Sequence, residues 1–189
     1  MRKRSRTTGG QADEKQYERR SEMEVKASSR SPVHAGPGEG QAMWMAGLQL
    51  LTCKVSSEQT GGAYSLFEVA VGPGGGSQPH VQHREDECFY VLDGEFEFLI
   101  EGAGIEAGPG SLIYVPKGDL HAFENTGETT GRMLISQTPG GVYEGFVEEV
   151  GEPASGGEAA PPAAEQPPDA ERLIVIGAEY GIETVPPLP

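Results

Sequence analysis

From Trp44 onward the chain reads as short apolar stretches cut by turn signals. The stretches are LQLLTCKV (48–55), YSLFEVAV (64–71), CFYVLDGEFEFLI (88–100), SLIYVP (111–116) and GRMLISQT (131–138). Each is rich in β-branched and aromatic residues, and between them fall TGG, GPGGG, LDGE, AGPG, PKGD and NTGE. Short strands at such regular spacing predict an all-β sandwich or barrel. The most explicit piece is DGEFEFLI. Asp93-Gly94 suits a tight hairpin turn. After it, Phe96, Phe98 and Ile100 alternate with Glu95, Glu97 and Glu101, so one face is buried and the other wet.

The flanks lack this pattern. Residues 1–37 are polar, charged and almost free of large apolar side chains. They cannot bury enough surface to offset the entropy of ordering, so a disordered tail is expected there. The β domain is placed at 38–150. Residues 151–168, GEPASGGEAAPPAAEQPP, have the composition of a linker. A helix is expected from about Asp169 to Tyr180, with Asp169 as N-cap and Gly181 just past its end. Leu173, Ile176 and Tyr180 would form its apolar stripe, docked on the β domain or on a partner subunit. No internal repeat is present, so there is one copy of the β domain.

Composition narrows the partners. The net charge of −15 divides into a basic tail and an acidic body. Residues 1–37 carry nine Lys/Arg against five Asp/Glu, and residues 38–189 carry five against 24. So acidic a body repels nucleic acid and anionic membranes. No apolar stretch reaches membrane-spanning length, and no apolar h-region follows MRKRSR, which argues against a secretory signal. Two cysteines, Cys53 and Cys88, with no CxxC, make no disulfide framework and suit reduced thiols in the cytoplasm.

The candidate chemistry lies in SQPHVQHREDECFYVLDGEFEF, residues 77–98. There are four histidines, at positions 34, 80, 83 and 121, and His34 falls in the tail. On a strand, positions i and i+2 share a face, so His80 and Gln82 can look into one lumen. Glu87 can join them from the adjoining strand, and His121, after the Pro116–Gly118 turn, can close the set. Two imidazoles and a carboxylate make the facial triad of non-haem iron centres, with open positions for substrate and O₂. Gln82 could add a fourth ligand through its carbonyl oxygen. His83 has the opposite parity and is expected on the surface. Glu85 and Asp86 read as solvated turn residues. GPGGG lacks the Lys and the helix of a phosphate loop. Phe89, Phe98 and Phe123 are candidate pocket residues, sharing parity with Glu87, Phe96 and His121. Nothing selects among Tyr90, Tyr114 and Tyr143.

These residues bring the chain to a family. Residues 76–94 resemble the first conserved motif of the cupins: Gly76, His80, Gln82, Glu87 and Gly94 keep its spacing, with a glutamine where a second histidine is usual. Residues 110–125 resemble the second motif, with Gly110, Pro116, Gly118, His121 and Asn125 all matched. The resemblance covers roughly residues 40–150. The wording REDECFYVLDGEFEF and AGPGSLIYVPKGDLHAFENTG is similar to single-domain cupins of the quercetin 2,3-dioxygenase-like group. It implies a double-stranded β-helix (jelly-roll) barrel holding a divalent transition metal on His80, Gln82, Glu87 and His121. Iron is the first expectation, with Mn, Ni, Cu or Zn as alternatives. It implies Glu87 as the catalytic base, a small aromatic or enolic, flavonol-like substrate, and pairing into homodimers. A metal-dependent isomerase, a polyketide-type cyclase or a metal-free ligand-binding barrel are the alternatives it leaves open.

Overall fold

The computed structural model describes residues 31–46, 48–154 and 170–185. The expected tail over 1–30, most of the 151–168 segment, the Asp169 N-cap and residues 186–189 lie outside the described residues. The elements below belong to the compact unit 33–189.

The strands are β1 (Gln41–Met45), β2 (Gln49–Val55), β3 (Ser65–Val71), β4 (His80–Gln82), β5 (Asp86–Asp93), β6 (Phe96–Ile100), β7 (Ala103–Ala107), β8 (Leu112–Val115), β9 (Leu120–Asn125), β10 (Gly131–Thr138), β11 (Glu152–Pro153) and β12 (Ile182–Thr184). Among the described residues three helices accompany them: α1 (Ser57–Thr60), α2 (Val142–Val150) and α3 (Ala170–Glu179). One sheet runs β11-β1-β2-β3-β10-β5-β8 and the other β12-β4-β9-β6-β7. Both are antiparallel, as the all-β jelly-roll expectation requires.

Alternation builds the core. Ser65, Phe67, Val69 and Val71 of β3 are buried while their neighbours are not, and Gly131, Met133, Ile135 and Gln137 do the same on β10. At one end of the barrel Phe89, Phe96, Phe98 and Phe123 interlock. Phe89 meets Phe98 at 5.2 Å between centroids and Phe123 at 5.9 Å, and Phe98 meets Phe123 at 5.8 Å. Offset and edge contacts of this kind add to plain burial.

Two turns differ from expectation. Phe96 and Phe98 do face the core, but Asp93-Gly94 does not close a hairpin, because β5 and β6 belong to different sheets. Gly94 instead carries the chain across the corner with φ 91°, so close to β10 that a Cβ would lie 2.6 Å from the Gly131 Cα. The two-residue hairpin is Glu101-Gly102, joining β6 to β7 with both φ values positive, as a type I′ turn demands. The glycine-rich stretch after β3 also has a structural reason. Gly76 pairs with Glu124 beside β9, and a Cβ there would lie 2.0 Å from the Phe123 carbonyl oxygen.

Glu85 corrects a second expectation. It is fully buried rather than solvated. Its carboxylate accepts from the backbone N–H of Val142 at 2.8 Å and of Tyr143 at 2.7 Å, capping α2 where Gly141 offers no side chain. Burial pushes this carboxyl up to about 7, against the pull of those two donors. Replacing Glu85 with alanine strands both N–H groups and leaves a void. Glu85→Ala is expected to cost about 2–3 kcal/mol in urea unfolding, with α2 losing amide-exchange protection first. A loss below about 0.5 kcal/mol would show that the cap contributes nothing.

Candidate metal centre and cavity

The site begins with β4, three residues long and held on both sides. His80 lies directly opposite His121 of β9, and Gln82 lies opposite Ile182 of β12. The Gln82 carbonyl accepts from the Gly118 N–H at 2.8 Å, which fastens β4 to the turn that leads into β9. Cross-strand partners share a face, so the two imidazoles stand together, with ring centroids 4.2 Å apart. Glu87 comes from the facing sheet, between Val115 and Gln137. His80, Glu87 and His121 each offer a ligand atom, all within 4.8 Å of one another. His121, Gln82 and Glu87 are 1%, 2% and 4% exposed.

Backbone carbonyls aim the imidazoles. His80 Nδ1 lies 2.8 Å from the Gln78 oxygen and His121 Nδ1 lies 3.1 Å from the Asp119 oxygen. A carbonyl only accepts, so each Nδ1 carries a proton and each Nε2 is the nitrogen left to face the centre. His121 Nε2 comes within 2.6 Å of Glu87 Oε2. Burial pushes the Glu87 carboxyl up, but His121 beside it, then His80 and Gln137, outweigh burial and leave it below the usual carboxylate range. Burial pushes His121 down, and the Glu87 carboxylate more than reverses this, so His121 ends above an ordinary histidine. His80 is lowered, by burial first and then by His121.

The donor set fits a divalent transition metal. Two imidazole nitrogens, one carboxylate and one amide oxygen are suitable ligands. Among the described residues both amide atoms of Gln82 are buried without a hydrogen-bond partner, and Glu87 Oε2 and His121 Nε2 have only each other. Such buried atoms are rare unless something completes them. His83, by contrast, sits on the outer face and pairs with Glu183 at 2.9 Å.

A cavity of about 580 Å³ opens from His80 and Glu87. Its walls are mainly apolar and include Phe89, Phe123, Ile135 and Tyr143. Phe98 does not reach it, because that side chain is enclosed by Phe89, Phe96 and Phe123. Tyr90 and Tyr114 are 41% and 57% exposed and lie outside it. Tyr143 is thus the one tyrosine of the three at the site. Burial, then Glu87 and Glu85, push its phenol well above the ordinary range, so it stays protonated. Sequence alone could not single it out, because it stands on α2, a helix without a recognisable pattern beforehand. The outer wall comes from the C-terminal segment through Leu173, Ile174, Ile182 and Thr184.

A metal must displace the His121 proton, and the sign follows from the shift. The His121–Glu87 pair stabilises the metal-free protein fully below pH 6.5, and that contribution is lost as pH rises through the raised His121 pKa. Metal affinity should therefore rise with pH over the same window, by up to about tenfold per unit. Calorimetric titration of Mn(II) at pH 6 and pH 8 checks this. Equal affinity at both values would exclude His121 as a ligand.

The family model described as Cupin domain matches residues 67–136. The chain is 26% identical over 119 residues to a quercetin 2,3-dioxygenase of Bacillus subtilis, a match covering 63% of this chain and 34% of that protein. It is 33% identical over 75 residues to germin-like protein subfamily T member 3 of Arabidopsis thaliana, covering 37% and 33%. The chain thus spans about a third of the length of these two relatives. Among solved structures, KdgF from Halomonas sp. superposes with a TM-score of 0.52 at 18% identity, over 58% of this chain and 94% of that one. The polyketide cyclase RemF from Streptomyces resistomycificus gives 0.51 at 18%, over 79% and 99%. At such identities the structures establish the fold and not the reaction. Two facing sheets, both motifs in register and the matched family model agree, and residues 67–136 of this chain form a cupin domain.

Proposed function

We propose that this protein is a metal-dependent dioxygenase of the quercetin 2,3-dioxygenase-like kind, acting on a small aromatic or enolic substrate. The observation that carries it is the convergence of two imidazoles and one carboxylate, of which His80 and Glu87 line an apolar cavity. His80, Glu87 and His121 would hold the metal, with Gln82 Oε1 as a fourth ligand. Iron is the first candidate, ahead of Mn, Ni, Cu or Zn. A bound divalent metal supplies a Lewis acid for an enolate or catecholate oxygen and, where redox-active, access to O₂ chemistry.

The chain's own residues do the rest. Glu87, ionised across the neutral range, accepts the proton of a substrate hydroxyl at Oε2. Phe89 and Phe123 give a flat substrate two ring surfaces. The Tyr143 hydroxyl, held protonated, can donate to a second substrate oxygen. The apolar walls exclude water, and the volume is ordinary for a small-molecule site. The same reading takes the active form as a cytoplasmic homodimer. Two free thiols are in keeping with the cytoplasmic setting.

Gln82 favours a second reading. An amide oxygen is a harder, weaker donor than imidazole and suits redox-inert Lewis-acid chemistry, as in an isomerase or polyketide-type cyclase. An oxygen electrode separates the two. O₂ uptake with a flavonol and the Fe(II) protein supports the dioxygenase. Turnover of an enolic substrate by the Zn(II) protein under argon supports the alternative. A protein that binds none of Fe(II), Mn(II), Ni(II), Cu(II) or Zn(II) would overturn both and leave a metal-free binding barrel. Glu87→Gln should lower kcat by about 10²–10⁴-fold. Gln82→His should tighten metal binding and Gln82→Leu weaken it, and no change in the leucine variant would show that the amide does not coordinate.

A further inference from the structure

Beneath the site, three strands place polar residues in one inward-facing row. Glu87 of β5 lies opposite Gln137 of β10, and Gln137 lies opposite Ser65 of β3. Glu87 is 4% exposed, and Gln137 and Ser65 are fully buried. The next inward row on the same strands is Phe89, Ile135 and Phe67, and the one after it is Val91, Met133 and Val69. The polar row is therefore confined to the end of the barrel that carries the candidate ligands. Burying an amide and a hydroxyl costs free energy that apolar side chains would not, so a reason for them is needed.

Hydrogen-bond direction supplies the reason. A carboxylate only accepts, so Gln137 must turn its Nε2 toward Glu87, where it donates to Oε1 at 3.4 Å. That leaves Oε2 as the oxygen facing His121. It also turns the Gln137 Oε1 away from Glu87. Among the described residues this oxygen and the Ser65 hydroxyl are buried without a partner.

We infer that Gln137 is the positioning residue for Glu87. It occupies Oε1, so Oε2 is the oxygen presented to the centre. This rests on the proposed metal site for its functional meaning, but its structural part can be tested apart from it.

The test is Gln137→Met, which keeps the length and removes the donor. The variant is first checked for an unchanged far-UV spectrum. In Q137M, Mn(II) affinity by calorimetry should fall about 10–100-fold, with a changed Mn(II) EPR signal. Parent-like affinity and EPR signal in Q137M would overturn the inference. If the parent binds neither Mn(II) nor Fe(II), Ni(II), Cu(II) or Zn(II), the metal reading fails, and a crystal structure of metal-free Q137M decides the positioning role alone. A Glu87 carboxylate turned away from His121 supports it, and an unmoved carboxylate overturns it.

Discussion

Burial of the Glu87 carboxylate is the constraint on which the rest of this end of the barrel depends. A negative charge among phenylalanines is untenable unless its oxygens are met by donors or positive charge. His121 comes to one oxygen and Gln137 donates to the other. His121 can do this because the Asp119 carbonyl orients its ring, and that carbonyl is placed by the turn through Pro116 and Gly118. His80 is then held against His121 by strand pairing. One buried charge thus dictates a tautomer, a turn and the register of two short strands.

Closure of the barrel brings the parts together. The ligand-bearing residues come from both sheets, and neither sheet alone contains the group. The corner at Gly94 and the close approach of Gly76 to β9 let the sheets meet without side-chain obstruction. Four interlocked phenyl rings back the site, and two of them, Phe89 and Phe123, line the cavity that opens from it. There the C-terminal segment matters twice. β12 extends the sheet through β4, and α3 supplies an apolar wall. Tyr180 packs against Phe146 and donates to Glu149, so α3 is secured to α2 as well.

Much of this was legible in the chain. The parity of His80, Gln82 and His83 separates inward from outward positions, and the structure keeps that separation. The alternation in β6 identifies Phe96 and Phe98 as core. The rest was hidden for physical reasons. β7, AGIEA, has four exposed residues out of five and little propensity, so it shows no pattern until β6 pairs with it. Asp93-Gly94 has a hairpin's sequence, but a change of sheet uses the same freedom of glycine. Glu85 looked like a surface turn residue because its partners, Val142 and Tyr143, are 57 and 58 positions away. Ser65 and Gln137 share a row through strand pairing alone, which no local window contains.

Gln82 shows how one side chain can redirect such a site. Amide and imidazole are both neutral, so the substitution leaves the charge of the donor set unchanged. Only Glu87 contributes a negative charge, and a divalent ion on these ligands would retain a net positive one. What changes is donor strength. A weaker donor leaves the ion more electrophilic toward a substrate oxygen while holding it less tightly. Retention would then depend more on the rigidity of the other three ligands. That rigidity is what the carbonyls behind both histidines and the amide behind Glu87 provide. On the proposed reading, with Gln82 as fourth ligand, the supporting layer and the amide would be two sides of one arrangement, in which positional order would replace part of the bond strength that a second imidazole on β4 would have given.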